Sequence, residues 1–290
     1  MIQTYLIHLF ILIGIYIILT LSLNLTIGYS GLLNLGHVAL FGIGAYTSTL
    51  LVMNGLPFLL SFLTAGILAA ISGALLYGLT RKLKGDYLAL ATLGFSFVIY
   101  SIMLNWIDLT RGPLGIPGIP KPLIFGLTIQ STGVYLFFTF IITLISIGIL
   151  TLITRSTFGR LLQAARDDEI GLRVLGKNTY ALRYKSMAIA GFFAGIAGSI
   201  YAHYISYIDP SSFSLTNLIF LLTAVIVGGL ASVRGSIIAP FILILIPEAL
   251  RFIDMPSSIL GPLRQIIYCL ILLVILLYRP RGICGRIDLQ

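Results

Sequence analysis

Long apolar runs alternate with short polar segments along the whole chain. The runs lie near Tyr5–Leu23, Val38–Met53, Pro57–Leu79, Tyr87–Asn105, Val134–Ile153, Lys185–Tyr204, Leu215–Ala231, Ser236–Ile253 and Pro262–Leu277. Most approach the roughly 20 residues that a helix needs to cross a bilayer. They are continuous and do not alternate with period two, so they are not the strands of a membrane barrel. The pattern predicts an all-α integral membrane protein, a polytopic bundle of about eight to ten transmembrane helices. Every polar stretch is too short for a soluble module, so a single transmembrane domain over residues 1–290 is expected.

The polar segments set the orientation. Arg81, Lys82 and Lys84 form one basic cluster. A second runs from Arg155 through Arg160, Arg166, Arg173, Lys177 and Arg183 to Lys185, and a third holds Arg279, Arg281 and Arg286. The positive-inside rule places all three in the cytoplasm. Trp106–Gly133 and Ile205–Ser214 are poor in cations and are expected outside. Crossing parity then puts the first residues outside if Val38–Met53 is a full span. Asn24–His37 (NLTIGYSGLLNLGH) is rich in Gly, Asn and Ser yet uncharged, and reads either as an aqueous loop or as a broken, re-entrant segment. Irregular backbone at membrane depth must be satisfied by protein or a watery cavity. Re-entry there would move the first residues inside.

Composition supports the membrane class. The 290 residues are 58% hydrophobic and 9% charged, with a mean hydropathy of +1.07. Soluble domains carry about 25% charge. The net charge of +9 would suggest nucleic acid in a soluble protein. Here the cations sit between apolar runs, where membrane orientation explains them. Cys269 and Cys284 form neither a disulfide framework nor a metal spacing. The first ten residues lack the cations of a signal peptide, so Tyr5–Leu23 reads as a retained helix.

Small residues mark helix contacts. Gly191, Gly195 and Gly198 share one helix face and include a GxxxG match. Gly42, Gly44, Gly228 and Gly229 also permit close approach. Thr110–Pro122 (TRGPLGIPGIPKP) cannot form a regular helix. It is a stiff connector or a docking loop at the outer mouth.

Catalytic chemistry is not evident. His8, His37 and His203 lie on separate runs, and neither HExxH nor G-x-S-x-G occurs. The phosphate loop GxxxxGK[ST] is also missing, so the chain is read as a non-catalytic subunit and any ATPase as a separate chain. Intramembrane ionisable groups would mark an ion-coupled carrier. The candidates are few: His37, Glu248, Asp86 and Asp108. Glu248 and Arg251, three apart on one helix, are expected to pair. The segment Thr157–Lys185 begins as an amphipathic helix. Leu161, Leu162, Ala165 and Ile170 offer apolar surface opposite Arg160, Arg166, Asp167, Asp168 and Glu169, while Gly171 and Gly176 break or end turns. It fits a helix inserted into a groove of a cytoplasmic partner, and equally a solvated basic loop.

These residues also carry a resemblance. Ala164-Ala165-Arg166-Asp167-Asp168-Glu169 followed by Leu175-Gly176-Lys177-Asn178 resembles the cytoplasmic coupling segment of permeases from branched-chain amino acid ABC transporters, of the M type. Other pieces follow in register: Leu23-Asn24-Leu25, Gly28-Tyr29-Ser30-Gly31, Asn34-Leu35-Gly36-His37, Phe41 to Tyr46, Gly85-Asp86-Tyr87, Ala91-Thr92-Leu93, Gly228-Gly229, Gly235, Pro240, Glu248 and Arg279-Pro280-Arg281-Gly282. Ser232-Val233-Arg234 departs, standing where the family often has a shorter, more neutral turn.

The resemblance implies a multi-pass subunit of a bacterial-type inner membrane importer for leucine, isoleucine and valine. Urea or short-amide permeases are near relatives, and an ion-coupled secondary carrier is the rival class. Expected partners are a sister permease, two cytoplasmic ABC ATPases, a soluble substrate-binding protein and the lipid bilayer, with no nucleic acid and no cofactor. Ala164, Ala165, Arg166, Asp167, Asp168, Glu169 and Gly171 would couple to the ATPases. Asn24, Asn34, His37 and Tyr46 would line the substrate pathway, where unwound backbone can meet an amino acid's charged groups.

Overall fold

In lipid every backbone polar group must find a partner within the protein, which leaves helices as the economical way across. A computed structural model describes residues 2–124, 127–129, 131–249, 257–279 and 281–285. In chain order the helices are α1 (Ile2–Asn24), α2 (His37–Met53), α3 (Phe58–Thr80), α4 (Asp86–Asn105), α5 (Ile107–Thr110), α6 (Thr132–Arg155), α7 (Thr157–Asp167), α8 (Glu169–Val174), α9 (Thr179–Ile205), α10 (Leu215–Gly228), α11 (Val233–Ala249) and α12 (Ser257–Tyr278). Among the described residues six helical segments are long and apolar enough to cross a membrane, and three shorter apolar helices accompany them. Strand structure is limited to two small antiparallel pairs, β1 (Ile116–Pro117) with β4 (Tyr207–Ile208) and β2 (Leu123–Ile124) with β3 (Leu127–Thr128).

Helix α9 is the hub, and its glycines explain why. A Cβ at Gly191 would meet the Ala69 carbonyl carbon at 3.1 Å, and one at Gly195 the Ala69 Cβ at 2.6 Å, both on α3. At Gly198 it would meet the Ala45 nitrogen of α2 at 2.7 Å, and at Gly44 of α2 the Gly195 carbonyl carbon at the same distance. Lipid tails are as apolar as leucine, so helices gain contact by close backbone approach rather than by the hydrophobic effect. The glycine stripe predicted from sequence is thus a packing surface, and it serves two neighbours. Ser48 adds polar bonds across the same seam, 2.6 Å from the Ser199 hydroxyl and 2.9 Å from His203 Nε2.

The pairings fix the directions of the helices. Ala65 and Ala69 of α3 lie against Gly195 and Gly191, and Tyr77 stacks on Tyr180 at 5.6 Å, so α3 and α9 are antiparallel. Arg81 sits 5.6 Å over the Tyr180 ring at the face from which α9 rises. Near this face, Arg166 reaches the end of α1. The turn after α10 also lies here, because Ile283 and Cys284 donate backbone bonds to the Val227 and Gly228 carbonyls at 2.8 and 3.1 Å. The described residues of the three basic clusters therefore share one face, and α1 starts on the opposite one. Ser48 meets the far end of α9, so α2 crosses back fully.

The break between α1 and α2 is shorter than the sequence suggested. Leu25–Tyr29 continues α1 as a π-helical turn, and irregular backbone occupies only residues 30–36. Re-entry occurs instead after α9. There Pro210–Phe213 folds back alongside α2, with Phe213 5.1 Å from the Phe41 ring and 5.9 Å from the Tyr46 ring. This leaves α10 only 14 residues to complete its crossing. The expected Ser236–Ile253 span is observed as α11, with residues 250–253 outside the described set. The outer segment after α4 is a connector of short elements, a four-residue helix, one 3-10 turn and the small strands.

Candidate functional site

Residues 24–36 form a junction that binds three other parts of the chain. Asn24 is buried, and its side chain serves the turn between α10 and α11. Its Nδ2 donates to the Gly229 and Ser232 carbonyls at 3.4 and 3.2 Å and to Ser236 Oγ at 2.6 Å, while Oδ1 accepts from the Ala231 nitrogen at 3.1 Å. The irregular backbone is satisfied by hydroxyls of α4. Thr92 Oγ1 accepts from the Leu35 nitrogen at 3.0 Å and donates to the Leu33 carbonyl at 3.2 Å, and Ser96 donates to the Leu35 carbonyl at 2.9 Å. This meets the rule that irregular backbone at depth needs protein partners.

The third link is Arg166 on α7. Its Nη1 donates to the Gly28 carbonyl at 2.6 Å, while Nε and Nη2 hold Asp167 Oδ1 at 2.8 and 2.7 Å. A π-helical turn leaves carbonyls without the usual i→i+4 donor, and the guanidinium fills that role. Its alkyl stem crosses Gly31, where φ is +68° and any Cβ would meet Arg166 Cγ at 2.6 Å. Glycine is required at 31 on both counts.

The predicted coupling segment is two helices. Asp168 has extended backbone (φ −147°, ψ 96°) and caps α8 by accepting from the Gly171 nitrogen at 2.9 Å. An aspartate that can cap is a natural interruption point, so a single amphipathic helix does not form. Gly171 lies inside α8, and Gly176 ends it with φ +74°. Leu162 and Ala165 are buried under α7, while Ala164, Asp167 and Asp168 face solvent. Glu169 joins α8 to α9 through Arg183, at 2.8 Å, and pairs within α8 with Arg173, whose Nε donates to Thr179 Oγ1 of α9 at 3.0 Å. Arg183 also donates to the Ala165 carbonyl at 3.0 Å. Partial burial pushes the Glu169 carboxyl up, but Arg183, Arg173 and Lys84 outweigh it and hold its pKa below the ordinary value. Sequence reading missed Arg183 and Thr92 as organisers. Their signal was present: a cation at the start of an apolar run, and a hydroxyl facing a stretch of irregular backbone.

The four pathway candidates are not gathered into one site. His37 Nε2 pairs with Ser22 Oγ of α1 at 2.9 Å, while Nδ1 is buried without a partner. Asn34 Oδ1 accepts from the Gly36 nitrogen at 3.0 Å, and its Nδ2 is likewise unpartnered. Tyr46 is nine residues beyond His37, about half a turn round the helix at roughly 100° per residue. It faces the re-entrant segment with its hydroxyl unpartnered. Asn24, by contrast, is fully engaged. Beside Phe213, a cavity of about 180 Å³ opens between α2, α4 and the start of α10, lined by Val38, Leu93, Ser96, Tyr100, Phe213 and Ser214 among others. Its walls are apolar with a few hydroxyls. Glu248 accepts from Tyr5, and its expected partner Arg251 lies outside the described residues. Among the described residues no cluster of His, Cys, Asp and Glu could hold a metal.

A bundle of apolar helices around a broken segment, tied to short polar helices on its basic face, defines a multi-pass membrane protein. Residues 5–276 match the branched-chain amino acid transport system permease component family, and the chain belongs to it. It is 33% identical over 294 residues to the high-affinity branched-chain amino acid transport system permease protein LivM of Escherichia coli, covering 93% of this chain and 67% of that one. It is 25% identical to the permease protein BraD of Pseudomonas aeruginosa over 296 residues (95% and 93% covered). It is 24% identical to the permease protein LivH of Escherichia coli over 300 residues (95% and 92%). No solved structure matches the chain.

Proposed function

We propose that the chain is the M-type permease subunit of an ATP-driven importer for branched-chain amino acids. It would line the pathway with a sister permease above two cytoplasmic ATPases, fed by a soluble binding protein. The observation that carries the coupling reading is the Arg166 bond to the Gly28 carbonyl. Through it a displacement of α7 pulls directly on the junction that Asn24 ties to α10 and α11. The positive-inside rule makes the basic face cytoplasmic. On that face Ile170, Val174 and Leu175 are 73%, 81% and 75% exposed, outside the apolar spans. They form a small apolar knob suited to a partner's groove, so the ATPase contact centres on α8, with Asp167 and Asp168 beside it. Closure of the ATPase pair would move α7 and α8 together, because Glu169, Arg173 and Arg183 lock them to α9. A two-state shift of the bundle follows from that interface motion.

The apolar cavity beside Phe213 suits an aliphatic side chain, its Ser96 and Ser214 supply polar groups, and Tyr46, whose ring packs on Phe213 outside that lining, keeps an unpaired hydroxyl for a further contact. Asn34, in the irregular segment, and His37, at the start of α2, offer further unpaired groups. The test is uptake of labelled leucine by proteoliposomes holding the chain with its native partners, with and without ATP on the cytoplasmic side. ATP-dependent uptake that also needs the binding protein is expected. Arg166→Gln should retain ATP hydrolysis while losing about tenfold in uptake, since a charged hydrogen bond contributes roughly 1.5–3 kcal/mol. Uptake without ATP would assign a secondary carrier. Hydrolysis stimulated by the loaded binding protein without leucine uptake would redirect the cargo to urea or amides.

A further inference from the structure

A second cavity, of about 500 Å³, opens on the basic face and takes no part in the coupling just described. Tyr29, Arg155, Arg160, Gln163, Ser232 and Arg234 are among its lining residues, and among the described residues none of those lining it is a carboxylate. Arg155 ends α6, Arg160 is in the first turn of α7, and Arg234 opens α11. The positive-inside rule accounts for the face these cations occupy. It does not account for three cations from two distant chain segments converging on one cavity. Among the described residues none of the three makes an ion pair, and the one hydrogen bond among their side chains is Arg160 to Thr157 Oγ1 at 3.3 Å. Like charges around one cavity repel unless an anion sits between them. The start of α11 adds the positive end of a 17-residue helix to the same wall.

The geometry points to a site for the phosphate headgroup of an anionic glycerophospholipid in the leaflet on the basic face. Guanidinium groups bind phosphate oxygens in pairs, and basic pockets between helices on the cytoplasmic side hold anionic headgroups. The surroundings favour a lipid over a soluble phosphate. Leu152, one turn into the membrane from Arg155, is 72% exposed, and Ile238 is exposed one turn beyond Arg234. Acyl chains can run along both. A bound headgroup would join α6 and α7 to the α10–α11 turn and to Tyr29 at the end of the π-helical turn, so it would brace the junction that Arg166 pulls.

The test measures thermal unfolding of the protein in its native assembly, titrated with phosphatidylglycerol, phosphatidylcholine or inorganic phosphate. Phosphatidylglycerol should raise the midpoint saturably, with no effect from the other two. The variant Arg155→Gln/Arg160→Gln/Arg234→Gln should weaken the apparent affinity roughly a hundredfold, at about fivefold per cation, and Arg234→Gln alone about fivefold. Lys82→Gln/Lys177→Gln, on the same face but away from the cavity, should respond as the wild type does. Unchanged phosphatidylglycerol affinity in the triple variant would overturn the assignment. So would an equal loss in the lysine control, which would mean diffuse surface attraction. A full shift with inorganic phosphate alone would replace the lipid with a soluble anion.

Discussion

At the scale of single residues, two buried polar side chains that look alike in sequence have opposite standing. Asn24 uses both ends of its amide on the α10–α11 turn, whereas Tyr46 keeps a buried hydroxyl unpaired. Removing one partner of a buried hydrogen bond costs the desolvation of the other, about 1–3 kcal/mol. Removing a group that has no partner costs nothing of that kind. Asn24→Ala should therefore lower the thermal midpoint, and Tyr46→Phe should leave it unchanged or slightly raised. Tyr46→Phe should instead raise the KM for leucine uptake. An Asn24→Ala protein of unaltered stability with altered KM would move Asn24 from brace to pathway lining.

At the scale of elements, the tightest contacts are glycine seams and one charged junction. Gly195 of α9 has the Ala69 Cβ where its own would go. Gly195→Leu should force α3 and α9 apart, at about 1–3 kcal/mol or more for overpacking, and appear as lost folded yield in detergent. Gly148→Ala is the control, because open space surrounds Gly148 in α6 and alanine is the better helix former. At the charged junction, the Glu169 pKa is lowered on folding. Its contribution is therefore present above the ordinary carboxylate range and is lost as pH falls through the lowered value. Hydrogen-exchange protection in α8, taken relative to the intrinsic rate at each pH, should be higher at neutral pH and fall on acidification, and Glu169→Gln should lack that dependence. The sequence made the glycine stripe and the apolar runs legible because period and residue size carry that information locally. It did not reveal that Leu25–Tyr29 stays helical, since the support comes from Arg166 and Ser186, more than 130 residues away. Nor did it reveal the split at Asp168, where the capping preference of one side chain overrides a continuous amphipathic pattern. The re-entrant Pro210–Phe213 was hidden because Ser and Pro suit an aqueous loop equally well.

At the scale of the whole molecule, the question left open by the sequence was whether the break after α1 returns the chain to the side it came from. The structure ties the end of α1 to Arg166 at the basic face and the far part of α2 to His203 at the other end of α9. Both helices therefore cross, and four successive crossings carry the chain from Gln3 to Asn105. This topology follows from packing alone and is independent of any partner or substrate. It is tested by single cysteines introduced after replacing Cys269 and Cys284 by serine. A membrane-impermeant maleimide on intact cells should label Gln3→Cys and Asn54→Cys but not Lys82→Cys or Lys177→Cys, and inverted vesicles should reverse the pattern. Labelling of Gln3→Cys and Lys82→Cys from the same side would mean that one of the first three helices does not cross. The Arg166–Gly28 bond would then join α7 to the wrong end of α1, and the coupling route through it would fall with the topology.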